Sequence, residues 1–193
     1  MTRTLVFASN NQNKLREIAA LLDNAFDMVT LEQAGITEDL PEPYFTLEEN
    51  AQSKARYLYE QTGQNCFSED TGLEVAALDG MPGALSARYA GEEKSADANM
   101  ARILAELEGN DNRKARFRTV ICLILDGQEY LVDGVCEGSI ATGRVGEKGF
   151  GYDPIFVPDG ETRSFGEMEM DEKAQYSHRS KAFKALKALL KTI

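Results

Sequence analysis

The fold prediction starts from residues 66–75, which read Cys66-Phe67-Ser68-Glu69-Asp70-Thr71-Gly72-Leu73-Glu74-Val75. An apolar start followed by two acids, a hydroxyl and a glycine predicts a buried strand that ends in a tight turn, with the acids at its carboxyl end. In open α/β sheets, ligands bind beyond the carboxyl ends of the strands. Two adjacent carboxylates repel each other unless a cation or a shared proton offsets their charge, and oxygen ligands of this kind suit Mg²⁺. The residues alone leave a second interpretation open, which is a solvated acidic turn.

The composition is that of an ordinary globular protein, with 42% hydrophobic and 27% charged residues in a chain of 193. This length predicts one well-packed domain over residues 1–193, with room for a smaller lobe. The formal net charge of −11 disfavours nucleic acid and anionic membranes as partners. A small anionic substrate then requires that some of the 21 lysines and arginines gather locally.

The cysteines indicate a reducing compartment. Cys66, Cys122 and Cys136 lie in apolar stretches and form no CxxC motif, which favours buried thiols over a metal site. The apolar run after Met1–Thr4 is shorter than a signal peptide needs, and no stretch approaches the roughly 18 apolar residues of a membrane span. We therefore predict a cytoplasmic protein that does not bind membranes.

The first loop is predicted to bind an anion. An apolar strand at residues 5–8 leads into a polar loop at residues 9–14, and apolar residues then recur at helical spacing: Leu15, Ile18 and Leu22. The free N–H groups and the positive dipole end of that helix point into the loop. Ser9 and Asn11 are candidate donors to phosphate, and Lys14 is a candidate counter-charge. The alternative is simple N-capping by an asparagine-rich turn.

Two apolar stretches predict a mixed sheet. Residues 116–125 are apolar on both faces, which is typical of a central strand. Asp126-Gly127 is a hairpin signal, so residues 129–140 are expected to return antiparallel. Residues 28–31 add a further short strand.

A helix is predicted after the acidic, proline-rich loop at residues 38–43. Thr46 and Glu49 fit a capping box, and Gly63 can end the helix. Lys54 has two interpretations: a solvated partner of Asn50 or Glu49 one turn away, or a cation that faces a bound phosphate.

The last third of the chain contains a glycine-rich segment that ends in Gly149-Phe150-Gly151-Tyr152-Asp153-Pro154. Aromatic rings beside glycines suit stacking on a flat ligand ring, although two core aromatics around a turn explain the pattern equally well. Asp153 is expected to be extended because it precedes proline.

A basic segment follows, with Lys173 ahead of Ser177-His178-Arg179. Ser177 or Ser180 is expected to cap a helix whose apolar positions are Phe183, Leu186, Leu190 and Ile193. Cations at a helix N-terminus oppose the dipole, which favours an anion or an electron-rich base between them. A lone histidine by itself is more often structural.

In their order along the chain, these stretches resemble the inosine triphosphate pyrophosphatase family over nearly the whole sequence. The motifs that carry the resemblance are Ser9-x-Asn11-x-x-Lys14, Glu49-Asn50-Ala51-x-x-Lys54-Ala55, Glu69-Asp70-Thr71-Gly72-Leu73, Pro82-Gly83-x-x-Ser86-Ala87-Arg88-Tyr89, Gly149 to Pro154 and Ser177-His178-Arg179. Each motif is weak alone, and their joint order is specific.

The resemblance implies an α/β fold, with a mixed twisted β-sheet flanked by helices and two lobes around a central cleft, in a homodimer. It also implies Mg²⁺-dependent hydrolysis of non-standard purine nucleoside triphosphates (ITP, dITP and XTP) to the monophosphate and pyrophosphate.

The resemblance further assigns roles to residues. Asp70 matches the general base and metal-associated residue, and Glu42 and Glu69 match metal ligands, with Glu49 in reserve for Glu42. The substrate contacts, including Lys54 as a phosphate partner, are carried over onto these positions: Ser9, Asn11, Lys14, Lys54, Thr71, Phe150, Gly151, Tyr152, Asp153, Lys173, His178 and Arg179. Glu69 departs from the family, where aspartate is common at this position.

Two alternatives to this function remain from the sequence. One is a regulatory module that binds purine nucleotides without hydrolysing them, because binding residues outnumber catalytic ones. The other is a related pyrophosphatase of modified pyrimidine nucleotides, against which His178-Arg179 argues.

Overall fold

The structure, a computed structural model, describes residues 3–21, 26–38 and 40–193. The strands are β1 (Thr4–Phe7), β2 (Asp27–Val29), β3 (Cys66–Val75), β4 (Pro82–Gly83), β5 (Lys114–Leu125), β6 (Gln128–Ile140) and β7 (Phe156–Pro158). The helices are α1 (Gln12–Leu21), α2 (Leu47–Thr62), α3 (Ala96–Glu106), α4 (Met170–Tyr176) and α5 (His178–Leu190). Leu22, predicted on the apolar face of α1, lies outside the described residues, as does Asp39 of the acidic loop.

The strands form one mixed sheet in the order β2-β1-β3-β5-β6-β7, with β4 paired to β3. β1 is parallel to β2 and to β3, whereas β4 pairs antiparallel with β3 and β7 antiparallel with β6. Asp126 and Gly127 join β5 to β6 with φ angles of +49° and +78°, the left-handed pair that a two-residue hairpin turn requires. The mixed α/β sheet expected from the sequence is therefore confirmed.

The chain divides into two compact units, as the expected two lobes require. The first comprises residues 1–70, 119–134 and 182–193, and the second residues 71–118 and 135–181. Within the first unit, Phe67 packs against the rings of Phe7, Phe26 and Phe183. Within the second, Phe117 packs against Phe156 and Phe165. Each unit thus has its own apolar core.

Helix α2 begins and ends where its sequence predicts. The Thr46 hydroxyl accepts a hydrogen bond from the N–H of Glu49 at 3.2 Å, and Gly63 ends the helix with φ +63°. The buried face of α2 includes Ala51, Lys54 and Ala55. Lys54 is therefore not the solvated helix partner that one interpretation of the sequence expected.

The prediction that β3 ends in a turn at Glu69 and Asp70 is wrong. β3 continues to Val75, so both acids lie inside the strand, where Glu69 is fully buried and Asp70 is 4% exposed. Gly72 serves the strand as well, because a Cβ atom there would stand 2.5 Å from the carbonyl oxygen of Gly83 in β4. The glycine permits close strand pairing where a turn had been expected.

Two smaller expectations near the end of the chain also differ from the structure. Asp153 lies in a short 3₁₀ turn, Asp153–Ile155, instead of in extended backbone. Ile193 lies beyond the end of α5 and is 38% exposed, so it does not extend the apolar face of that helix. In the described ranges, no helix combines the length and apolar content needed to cross a membrane.

Candidate functional site

Charged side chains of the first unit gather at the middle of β3, and we call them the acid–lysine cluster: Lys14, Glu42, Lys54, Glu69 and Asp70. The Lys54 ammonium donates to the backbone carbonyl of Glu69 at 2.8 Å and lies 3.4 Å from Asp70 Oδ1. It also donates to Glu42 Oε1. Helix α2 supplies the lysine, β3 the aspartate, and the loop before α2 the glutamate. One ammonium therefore holds together three segments of the chain.

Lys14, in the first turn of α1, completes the cluster. Its Nζ lies 3.2 Å from Glu69 Oε1, and the Glu69 side chain is fully buried. This pairing explains why β3 contains adjacent acids that a local pattern places at a surface turn. Buried carboxylates persist in a folded chain only when a cation or hydrogen bonds compensate them, and here the cations come from α1 and α2.

The cluster shifts the acid–base properties of its members. Burial by itself lowers the pKa of Lys54, but the neighbouring charges of Asp70 and Glu42 outweigh it, so the pKa lies above the usual value and the amine stays cationic. Burial also raises the pKa of Asp70, and the negative charge of Glu42 adds to this effect, so the pKa lies above its usual value although Lys54, Lys14 and the Asn50 hydrogen bond act to lower it. A carboxylate with a raised pKa is a better proton acceptor than an ordinary aspartate.

The loop before α1 has the hydrogen bonds of an N-cap. Asn11 Oδ1 accepts from the N–H groups of Asn13 and Lys14 at 3.0 and 3.2 Å, and Ser9 Oγ accepts from the N–H of Asn11 at 3.2 Å. The capping interpretation of Asn11 is thus seen directly. The same turn places Lys14 against Glu69, so the loop is positioned at the cluster even though Ser9 and Asn11 use their oxygens within it.

The donor chemistry of the cluster fits a hard divalent cation. Glu42 and Asp70 converge on one ammonium, so this position already attracts positive charge, and carboxylate oxygens are the usual ligands of Mg²⁺. Among the residues that the structure describes, however, no group of three His, Cys, Asp or Glu side chains is arranged to hold a metal. Glu49 is exposed and accepts from the Thr46 hydroxyl at 2.6 Å, so it lies apart from the cluster contacts.

The second unit contains another constellation, the aromatic–arginine group: Phe150, Asp153, Lys173, His178 and Arg179. Asp153 Oδ2 accepts from the Phe150 N–H at 2.8 Å and from Lys173 Nζ at 2.6 Å. Lys173 Nζ also lies 4.9 Å from the centroid of the Phe150 ring. Asp153 and Lys173 are almost completely buried. Together they fix the turn that carries the half-buried Phe150.

Gly149 allows this turn to close. Its φ is +74°, and a Cβ atom there would lie 2.0 Å from Asp153 Oδ2. Gly151, the next predicted contact residue, has φ +62° and open space around the position of a Cβ atom. The glycines therefore serve a tight turn beside the ring.

The start of α5 supplies His178 and Arg179 to the group. Ser177 Oγ accepts from the Ser180 N–H at 3.1 Å, as a capping residue does. Arg179 is 1% exposed, its Nη2 lies 3.4 Å from Thr71 Oγ1, and its guanidinium lies 5.7 Å from the Phe150 ring centroid. The His178 ring stacks on Phe117 at 4.6 Å. Thr71 and Phe150, two of the substrate contacts that the resemblance implies, thus both lie close to Arg179.

Tyr152 has a structural position in place of the stacking role considered for it. It is 5% exposed, and its hydroxyl donates to the backbone carbonyl of Ser86 at 2.8 Å. Ser86 Oγ in turn accepts from the Leu73 N–H at 2.9 Å and donates to the Gly83 carbonyl at 2.6 Å. Sequence reasoning assigned no function to Ser86, although its place in the motif at residues 82–89 was a signal. Ser86 connects β3, β4 and the turn that contains Tyr152.

Comparison with known proteins places this geometry in a family. A protein-family model described as the Ham1 family matches residues 5–189. A protein of Flavobacterium psychrophilum named dITP/XTP pyrophosphatase is 47% identical over 182 residues, which cover 94% of this chain and 96% of the relative. A protein of Christiangramia forsetii with the same name is 49% identical over 182 residues, with the same coverage.

A solved structure agrees with this assignment. The Ham1 protein of Staphylococcus aureus superposes with a TM-score of 0.89 at 36% sequence identity, covering 98% of this chain and 99% of that chain. Sequence and fold therefore lead to the same conclusion: this chain belongs to the Ham1 family.

Proposed function

We propose that this chain is a pyrophosphatase that hydrolyses non-standard purine nucleoside triphosphates (dITP, XTP and ITP) to the monophosphate and pyrophosphate, with Mg²⁺ as cofactor. The single observation that carries the proposal is the acid–lysine cluster, in which Asp70 of β3 is buried against Lys54 of α2. The names of the relatives, dITP/XTP pyrophosphatase, supply the substrate class.

The triphosphate is bound by an exchange of ionic partners. Lys14 pairs with Glu69, and Lys54 pairs with Glu42 and Asp70. With a triphosphate bound, the lysines would pair with its oxygens, and the carboxylates Glu42, Glu69 and Asp70 would be the groups that hold Mg²⁺. Bound Mg²⁺ supplies neutralisation of phosphate charge. In a protein with a net charge of −11, this local supply of cations is what an anionic substrate requires.

Asp70 serves as the general base. Its fixed position, held by Lys54 on one oxygen and Asn50 on the other, suits a group that orients a water molecule and accepts its proton during attack on the α-phosphorus, so that pyrophosphate leaves. Phosphoryl transfer depends mostly on positioning and charge stabilisation, and Ser9, Asn11, Lys14 and Lys54 provide these at the phosphate side.

The aromatic–arginine group selects the base. Phe150 stacks on the purine, and Arg179 and His178 donate hydrogen bonds to the 6-oxo edge of hypoxanthine or xanthine. Adenine presents an amino group at that edge and would leave buried donors unpaired, which a polar pocket rejects strongly. Thr71, Gly151, Tyr152, Asp153 and Lys173 complete this side as direct contacts or as supports of Phe150.

The remaining expectations belong to the same proposal. We propose one functional domain over residues 1–193, a homodimer, and a cytoplasmic location, with which three free thiols are in keeping.

The experiment is a panel of ITP, dITP, XTP, GTP, ATP and a modified pyrimidine triphosphate with Mg²⁺, with products identified by chromatography. We expect pyrophosphate from ITP, dITP and XTP, and no turnover by Asp70→Asn, which should still bind nucleotide. Tight binding of ITP without product would favour the regulatory module, and turnover of the pyrimidine alone would favour the related pyrophosphatase.

A further inference from the structure

We propose that Asn50 is a positioning residue that fixes the orientation of the Asp70 carboxylate and ties it to the loop that carries Glu42. This inference rests on the proposed function, because it concerns the turnover that Asp70 supports. In the sequence, Asn50 is a helix neighbour of Lys54 and a member of the motif at residues 49–55, with no role of its own assigned.

The contacts of Asn50 are unusually complete for a helical asparagine. Its side chain is fully buried in the first turn of α2. Its Oδ1 accepts from the N–H of Tyr44 at 2.9 Å, and its Nδ2 donates to the carbonyl of Tyr44 at 3.1 Å and to Asp70 Oδ2 at 3.2 Å. The amide orientation follows from this pattern, because a flipped amide would set its oxygen against a carboxylate and its NH₂ against an N–H.

The Asp70 carboxylate is thereby held at both oxygens. Oδ2 accepts from Asn50, whereas Oδ1 faces the Lys54 ammonium. A carboxylate can otherwise rotate about its terminal torsion, since that torsion is broad. Because Asn50 holds Oδ2, Oδ1 keeps its direction when the Lys54 ammonium leaves Asp70 for a phosphate oxygen. Asn50 is the contact that remains on Asp70 through this exchange.

The same side chain holds the loop that carries Glu42. Tyr44 follows Glu42 by two residues, and Asn50 binds both polar backbone groups of Tyr44. Glu42 and Asp70 both contact Lys54. Asn50 thus fixes from one point the two segments whose carboxylates must lie at a set distance, and a displacement of about 1 Å in such a constellation can lower a rate about 100-fold.

A purely structural role is the competing explanation, and the chain offers a matched control. Asn99 is also a buried asparagine in the first turn of a helix that binds a preceding loop. Its Oδ1 accepts from the Ala90 N–H at 2.6 Å, and its Nδ2 donates to the carbonyls of Ala87 and Ser86 at 3.0 and 3.3 Å. Unlike Asn50, it makes these bonds to backbone alone and touches no carboxylate.

The test compares Asn50→Asp with Asn99→Asp in the full chain, using dITP and saturating Mg²⁺, and measures kcat, KM and Tm for each. Both substitutions keep the side-chain shape but replace the NH₂ group, with its two donated hydrogen bonds, by a carboxyl oxygen. Asn50→Asp also places a second carboxyl group beside Asp70, which the alanine pair described below avoids. We expect kcat of Asn50→Asp to fall about 10- to 100-fold, which is the range for loss of a hydrogen bond to a charged group. KM should change less than about threefold, because the side-chain hydrogen bonds of Asn50 go to Tyr44 and Asp70 and not to the lysines that would bind phosphate.

The control should keep kcat within about threefold of wild type while its Tm falls at least as far. An equal fall of kcat in both variants, or a rise of KM with kcat unchanged, would overturn the proposal. If Asn50→Asp does not fold, Asn50→Ala paired with Asn99→Ala gives the same comparison. Failure of the wild-type chain to turn over any triphosphate would instead refute the proposed function, so the two failures are distinguishable.

Discussion

Replacing Lys54 by methionine tests whether one ammonium holds the acid–lysine cluster together. The Lys54 side chain is 5% exposed, and its Nζ contacts Glu42, Asp70 and the backbone carbonyl of Glu69. Methionine keeps much of the packing volume and removes the charge. The carboxylates of Glu42 and Asp70 then face each other, largely buried, without the cation that both now share.

The magnitude follows from the burial. Removing one partner of a buried ion pair costs about 3–5 kcal/mol of folding free energy. In a chain of this size, each kcal/mol lowers Tm by about 2–4 °C. The expected fall is therefore about 6–20 °C, measured by circular dichroism at pH 7 and fixed ionic strength, without nucleotide or metal.

Arg56→Met is the matched control because it lies on the same helix and also removes one cation. The Arg56 side chain is 55% exposed and pairs with Glu129 at 2.8 Å. Exposed pairs contribute about 0–1 kcal/mol, so Tm should fall by only a few degrees. Adding Asp70→Asn to Lys54→Met should recover part of the loss, since it removes one of the facing charges. If Lys54→Met lowers Tm no more than Arg56→Met does, the electrostatic account of the cluster is wrong.

Three further predictions concern packing, thiols and ligand coupling. Gly72→Ala should lower the free energy of unfolding, measured in urea, by about 1–3 kcal/mol, because its Cβ would lie 2.5 Å from the Gly83 carbonyl oxygen. Gly143→Ala is the control: the space around Gly143 is open, so the free energy of unfolding should change by less than about 0.5 kcal/mol. Burial raises the pKa of the Cys66 thiol to about 12. It also raises the pKa of the Cys122 and Cys136 thiols, so all three stay protonated at pH 8. They should react slowly with a disulfide reagent until the chain is unfolded in guanidinium chloride, and fast reaction of the folded chain would contradict this burial. Calorimetry should show that Mg²⁺ and a non-hydrolysable dITP analogue each tighten the binding of the other by about 5- to 150-fold. The reason is that the lysines and carboxylates pair with one another, so each ligand frees groups that the other binds. Independent binding of the two ligands would argue against partner exchange.

Much of the fold could be predicted from the sequence, because turn geometry, helix capping and the pattern of apolar residues depend on residues close together in the chain. The left-handed turn at Asp126-Gly127 and the caps at Thr46 and Gly63 depend on residues close in sequence. The run of buried residues at 120–125 identifies an interior strand of the sheet. These elements form where their own residues favour them, and tertiary contacts only reinforce that preference.

The centre of the site could not be predicted in the same way. Glu69 and Asp70 read as a surface turn because acids are costly to bury. They lie inside β3 because Lys14 and Lys54, far away in sequence, supply the opposing charge. Lys54 was equally ambiguous, since a lysine on a helix is usually solvated and only the folded chain brings it to Asp70.

The asparagines and the aromatic turn show the same limitation. Nothing in the sequence around Asn50 indicates that its amide reaches both Tyr44 and Asp70. Likewise, Asp153 was expected in extended backbone, yet its carboxylate closes a turn onto Phe150 with Lys173 as counter-charge. The resemblance to a family identified these positions as important, and the contacts show how Asp153 and Lys173 hold the turn at Phe150. The individual site roles, the cleft and the dimer stay predictions.

The most direct test of the central claim is to follow the oxygen of the attacking water. The chain is incubated with dITP and Mg²⁺ in ¹⁸O-water, and mass spectrometry determines which product carries the label. The account predicts one labelled oxygen in the monophosphate and unlabelled pyrophosphate, because Asp70 directs water to the α-phosphorus. Label in the pyrophosphate, or release of orthophosphate in its place, would contradict it.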